Sequence, residues 1–143
     1  METIDQTSVK INIQGIELLE YSIVSSEKTL PATMEYKFDI AVEHKIALDQ
    51  KKIFVITSIR IYNEEMDFSP GNIKVGCIFE LPEIEKFVSA NQQIDIPDPI
   101  LTMLNSITFS TVRGVMFTLF RGTFLHNVIL PIIDPKTFVN GKK

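Results

Sequence analysis

The sequence predicts an α+β domain, a four-stranded antiparallel sheet followed by a short helix and one long helix packed on one face of the sheet. Three observations carry this. Four stretches before residue 82 alternate apolar and polar side chains with a period of two. A proline-led acidic segment follows them. Then comes a stretch from about 99 to 121 with proline at its start, glycine after its end and one internal charge. The whole of 1–143 reads as a single domain, since a chain of this length buries roughly 70% of its unfolded surface without disulfide or metal staples.

The first strand, about 8–23, alternates Val9, Ile11 and Ile13 with Lys10, Asn12 and Gln14 until Gly15. The apolar parity then passes to Ile16 and Leu18, as a bulge at the glycine requires. The second, about 35–48, puts Tyr36, Phe38, Ile40, Val42, His44, Ile46 and Leu48 on one face. The polar run Asp49 to Lys52 closes a hairpin into the third, about 53–62, with Ile53, Val55, Thr57, Ile59 and Ile61 on its apolar face. After Ser69-Pro70-Gly71-Asn72, the fourth strand, about 73–81, carries Ile73, Val75, Cys77, Phe79 and Leu81.

Pro82 followed by Glu83, Ile84, Glu85, Lys86, Phe87 and Val88 predicts a short helix over about 82–90, with proline in its first turn and acids at its positive end. Asp98 is the expected N-cap of the long helix, Pro99 its first residue and Gly122 its stop, giving about 99–121 with Arg113 as the one charge inside. Its length suits a membrane span. Its composition does not: of the 22 residues from 99 to 120, 12 are apolar, six are Ser or Thr, and Asn105 and Arg113 add further polarity. No membrane insertion is expected.

A helix apolar over most of its circumference needs more cover than one sheet provides, so a second copy of the chain is expected against it. Thr102, Ser106, Ser110, Gly114 and Thr118 recur every four residues as a ribbon along which two helices can approach, beside an apolar flank of Ile100, Met103, Leu104, Ile107, Val115 and Leu119. Glycine inside a helix costs about 1 kcal/mol relative to alanine, so Gly114 points to close packing. The ribbon is the expected oligomer interface.

Composition excludes several chemistries. One cysteine rules out a disulfide framework within the chain, and two histidines far apart, His44 and His126, give no zinc spacing. No nucleophile elbow, phosphate loop, dinucleotide fingerprint or paired-carboxylate motif occurs, so no catalytic residue, metal or cofactor is assigned and an enzyme is not expected. His44 reads as a packed residue with one satisfied nitrogen, and Cys77 as a small buried apolar side chain. The net charge of -4 argues against nucleic acid. Charge is uneven: residues 1–93 carry 9 basic and 15 acidic groups, residues 94–143 carry 5 and 3. METIDQTSVK lacks a basic region followed by an apolar run, so a cytoplasmic protein is expected.

In order along the chain, Cys77-Ile78-Phe79-Glu80, Ile96-Pro97, Phe109 to Arg113, and Arg121-Gly122-Thr123-Phe124 with Leu130-Pro131 resemble the SecB protein-export chaperones. Those carry an apolar strand with GIF, a CP turn, a helix with FPYAR, and RGTFP followed by LxP. Ile13-Gln14-Gly15-Ile16 with Glu20, Tyr21 and Ser22 is similar to the family's first strand. The resemblance spans about 9 to 135, with RGTF its most specific piece. The proline and tyrosine of FPYAR are absent from Phe109-Ser110-Thr111-Val112-Arg113, and Pro97 to Arg121 is about two helical turns longer than in export members. The sequence stops at Asn140-Gly141-Lys142-Lys143, where those members continue into a second helix and an acidic tail, so one groove wall is expected to be missing.

The resemblance implies a cytoplasmic chaperone working without ATP or metal, a tetramer built as a dimer of dimers, and apolar grooves that hold unfolded polypeptide clients for the motor SecA. It makes Phe79, Phe87, Met103, Phe109 and Phe124 the groove candidates. Ten phenylalanines and five methionines suit a site that accepts unrelated segments. Glu20 matches one acidic position through which the family engages SecA, while Val24 stands at the next. A SecB-like module dedicated to a single partner such as an antitoxin, or a non-enzymatic oligomeric protein of another role, are the alternatives.

Overall fold

The computed structural model describes residues 9–25 and 34–139. It contains strands β1 (Asn12–Ile23), β2 (Lys37–Ala47), β3 (Lys52–Tyr62) and β4 (Gly71–Glu80), then the helix α1 (Asp98–Phe120). The strands form one antiparallel sheet in the order β1-β4-β3-β2. Hairpins join β2, β3 and β4, and β1 lies beside the last of them. The expected strand start at Ser8 and the terminal Asn140 to Lys143 lie outside the described residues.

The parity shift in β1 is real and occurs twice. Its register on β4 slips between Ile13 and Gly15 and again between Leu18 and Glu20. Ile13, Ile16, Leu18 and Tyr21 thereby stand opposite Phe79, Cys77, Val75 and Ile73, all on one face. That face receives α1, which crosses over β3 and β4.

Two apolar clusters fill the space beneath the helix. One joins Ile59, Ile61, Ile73 and Val75 to Val112, Met116, Phe120, Leu125, Val128 and Leu130. The other joins Ile53, Val55, Cys77 and Phe79 to Leu81, Ile84, Ile96, Ile100 and Leu104. The buried polar residues Thr57, Asn105 and Thr108 belong to neither cluster. The Thr108 hydroxyl donates a hydrogen bond to the Leu104 carbonyl at 2.8 Å, whereas Thr57 Oγ1 is buried and finds no partner among the described residues.

Two expectations are corrected. The short helix after β4 is present, but it is a 3-10 helix confined to Ile84–Phe87 within the expected 82–90. Val88 turns extended and bridges Ile94, Asp95 N–H donates to the Phe87 carbonyl at 2.9 Å, and Gln92 takes a left-handed φ of 64° in the reversal. Only Ile84 of this 3-10 helix is buried, too little apolar face to extend it into a longer α-helix against that pairing. At the long helix, Asp98 is the first helical residue and Pro97 the N-cap, with no side-chain cap bond. The expected cap was placed one residue late, because the extended Pro97, ψ 144°, already offers its carbonyl to Ile100 and Leu101.

The helix stops where the Arg121-Gly122-Thr123 motif requires. Gly122 adopts φ 81°, and Thr123 Oγ1 donates to the Phe120 carbonyl at 2.7 Å while accepting Leu125 N–H at 3.1 Å. By length and composition α1 is able to cross a membrane, but eight of its residues are buried within the protomer, as in a core helix.

Candidate functional site

The position of α1 over β3 and β4 decides which apolar side chains stay open. On β2 the helix-side residues Phe38, Ile40 and Val42 still pack on the two clusters. On β1 they do not. Ile13, Ile16, Leu18 and Tyr21 share the face of the buried β4 residues, yet remain 50%, 53%, 44% and 50% exposed. Among the described residues, no strand pairs with the other edge of β1. A strand with open apolar side chains and a free row of backbone groups is a surface for pairing with further polypeptide.

A second apolar surface lies on the solvent side of α1, where Met103, Ile107 and Phe117 are exposed and the Arg121 guanidinium sits 5.6 Å from the Phe117 ring centre. Ser106, Ser110, Gly114 and Thr118 are exposed on the same helix and Thr102 is half-buried. A Cβ added at Gly114 would meet nothing within 4 Å. Beyond the helix, Val128 to Phe138 returns alongside it as a strap. Leu130 is buried, Ile129 and Ile132 point outward, and Phe138 packs edge-on against Phe109 with ring centres 5.6 Å apart.

Of the five groove candidates, Met103 is exposed, Phe87 and Phe124 are half-buried, and Phe79 and Phe109 are closed inside the core. Phe79 and Phe109 are thus corrected to core residues of the protomer: one lies under the helix in the strand-side cluster, the other under Phe138. The open surface instead includes Ile13, Ile16, Leu18, Tyr21, Phe117, Ile129 and Ile132, none of which the sequence reading chose as a site. For the four on β1, the parity shift was the one sequence signal.

Among the described residues, the histidines and the cysteine are each engaged separately. Asn105 donates through Nδ2 to the Pro135 carbonyl at 3.1 Å, so its Oδ1 accepts from His44 Nε2 at 2.7 Å. His44 is therefore a tie between β2, α1 and the strap. His126 Nδ1 lies 2.9 Å from the Thr123 carbonyl at the exposed helix end. Burial pushes the Cys77 thiol pKa up, an effect opposed by hydrogen bonds with Thr108 and Thr111. Among the described residues, no three of His, Cys, Asp and Glu converge as metal ligands.

Glu20 is exposed and stands opposite Lys74 on β4. With Asp39, Arg60, Asn72 and Lys74 it lines a shallow depression of about 300 Å³. Arg60 is taken up there by Asp39 at 2.6 Å and by the Tyr62 ring, 4.6 Å from its centre. The charges around Glu20 are mixed in sign.

No protein-family model and no curated protein matches the sequence. Among solved structures, the chain is similar to the Rv1957 SecB-like chaperone of Mycobacterium tuberculosis, solved in complex with a ChAD peptide from the Rv1956 HigA1 antitoxin. The two share a TM-score of 0.60 and 15% identity, over 86% of this chain and 89% of that one. The fold is SecB-like, as the motif resemblance implied.

Proposed function

We propose that this protein is a chaperone that holds non-native polypeptide on its apolar surface without nucleotide, cofactor or metal. The observation that carries the proposal is the open helix-side face of β1, four large apolar side chains that the protomer's own helix leaves uncovered. Exposed apolar patches of this kind mark interaction surfaces. The SecB-like fold supports the same reading. The proposed setting is the cytoplasm, and the proposed assembly is a homo-oligomer, a dimer of dimers, with the ribbon on α1 as interface.

A dedicated role is the second version, favoured by the antitoxin peptide bound to the structural neighbour. In that version the client is one antitoxin-like protein. The export version, with SecA docking at Glu20, has Lys74 opposite the docking residue against it.

The test is aggregation of a chemically denatured polypeptide on dilution, with and without equimolar protein and no nucleotide. Suppression across several clients supports the general version. Suppression confined to one polypeptide, recovered stoichiometrically with the protein, supports the dedicated version, and no suppression of any client rejects the chaperone reading.

A further inference from the structure

Resting on the proposed chaperone reading, we propose that the first half of α1, about 98–107, is a latched lid over an apolar floor on β3 and β4, and that its release adds this floor to the client surface of β1. The two apolar clusters hold different halves of the helix. Ile100 and Leu104 pack with Ile53, Val55, Cys77 and Phe79, whereas Val112, Met116 and Phe120 belong to the other cluster. Hydroxyls lie where the clusters part. Thr57 on β3 finds no partner among the described residues, and Thr108 and Thr111 turn back onto the Leu104 and Ile107 carbonyls of their own helix, at 2.8 and 2.9 Å. Back-bonds of this kind weaken and bend helices, and Gly114 follows within the next turn, so α1 is least stiff at the boundary between the two clusters.

The first half is lightly held. Its start has no side-chain cap, and the third residue it buries is the polar Asn105. Asn105 is the latch: its Oδ1 accepts from His44 Nε2 of β2 at 2.7 Å and its Nδ2 donates to the Pro135 carbonyl at 3.1 Å. Beneath the lid, Cys77 and Phe79 stand opposite Ile16 and Ile13 of β1, which are half-exposed on the same face. Floor and open face are thus one apolar surface, of which the helix covers a part. An extended client seated on β1 supplies apolar side chains for the floor once the lid lifts, so the open form is the one that client binding selects.

The chain's single thiol, Cys77, is buried under the lid and reports its opening. Its labelling by a small disulfide reagent is followed in the full chain against urea concentration. Client affinity is read beside it, at the same protein concentration, by anisotropy of a fluorescent, reduced and carboxymethylated polypeptide that stays unfolded and carries no thiol. His44→Phe keeps an aromatic ring but leaves Asn105 Oδ1 buried without its donor, while Gly114→Ala stiffens the helix with a methyl that meets nothing within 4 Å. The first is expected to speed labelling and tighten client binding roughly tenfold each, and the second to slow and weaken them roughly fivefold, because one open fraction governs both. Labelling is also expected to depend less steeply on urea than global unfolding does. Equal slopes overturn the lid. Faster labelling in His44→Phe with unchanged client affinity overturns the inference as well, since the floor would then lie outside the client surface. If His44→Phe does not fold, Gly114→Ala decides with the sign reversed. Failure of the unaltered protein to bind the probe rejects the chaperone reading itself, while the urea slope still judges the lid.

Discussion

At the scale of single residues, the buried polar positions make the sharpest predictions. Thr57 sits on the helix face of β3 between Val42 and Val75, fully buried, and its hydroxyl finds no partner. An unmade hydrogen bond in the core costs about 1–3 kcal/mol, so Thr57→Val, close to the same volume, is expected to raise unfolding stability by about 1 kcal/mol. Urea titration of both proteins measures it; a loss of stability would mean the hydroxyl is paired. Cys77 makes the pH prediction. Its thiol pKa lies above its ordinary value of 9.0 because burial disfavours the thiolate. Above that pH the unfolded chain releases the thiol proton while the folded chain retains it, so stability falls as pH rises. Tyr36, also raised by burial, pulls in the same direction at higher pH. Cys77→Ala is therefore expected to flatten the decline of stability just above pH 9, read by thermal melts across the alkaline range. That Cys77 would be buried and His44 packed was legible from strand parity. That Asn105 would be the residue satisfying His44 was not, because the pairing joins positions 61 residues apart, one on β2 and one on α1.

At the scale of elements, β1 and α1 separate what periodicity reveals from what it hides. The four strands and the long helix were legible because each repeats its apolar side chains with the period of one regular structure. The 82–90 segment has an acidic start and a leading proline in common with longer helices, and its helix is cut to Ile84–Phe87 by the Val88 and Ile94 pairing, which no local pattern encodes. The exposure of β1 was hidden for a related reason. Its side chains alternate correctly, yet their cover depends on which strands the helix crosses. This yields a paired prediction. Ile16→Lys changes a half-exposed position on the open face and is expected to leave stability within about 0.5 kcal/mol while lowering client capture in the dilution assay. Gly114→Leu, at a position with open space around it, is likewise expected to leave the protomer folded by circular dichroism, yet to reduce native mass by blocking helix approach. Undiminished capture by the first would remove β1 from the site, and undiminished mass in the second would remove the ribbon from the interface.

At the scale of the whole molecule, the ion pairs among the described residues involve none of β1, α1 and the strap, where the apolar openings lie. The ion pairs Lys37 with Glu64, Lys45 with Glu43, Lys51 with Glu85 and Arg60 with Asp39 are exposed, and pairs of that kind contribute little. The openings on β1, α1 and the strap are largely apolar; of the cations beside them Arg113 is spent on carbonyls and Arg121 on an aromatic ring, while Lys136 stands exposed at the end of the strap. Association through these openings is therefore expected to follow the hydrophobic effect and not the Coulomb term. Light scattering should give a native mass above the 16.3 kDa of one chain, and that mass should persist at about 1 M salt, where exposed charges are screened within about 3 Å. Cooling should weaken it, since apolar burial loses driving force at low temperature. A mass that collapses in salt would place the contact on the charged outer face of the sheet, leaving β1, α1 and the strap free for client alone. A single-chain mass under all conditions would assign the same three surfaces wholly to client, and the ribbon on α1 would then be an exposed polar stripe without a partner helix.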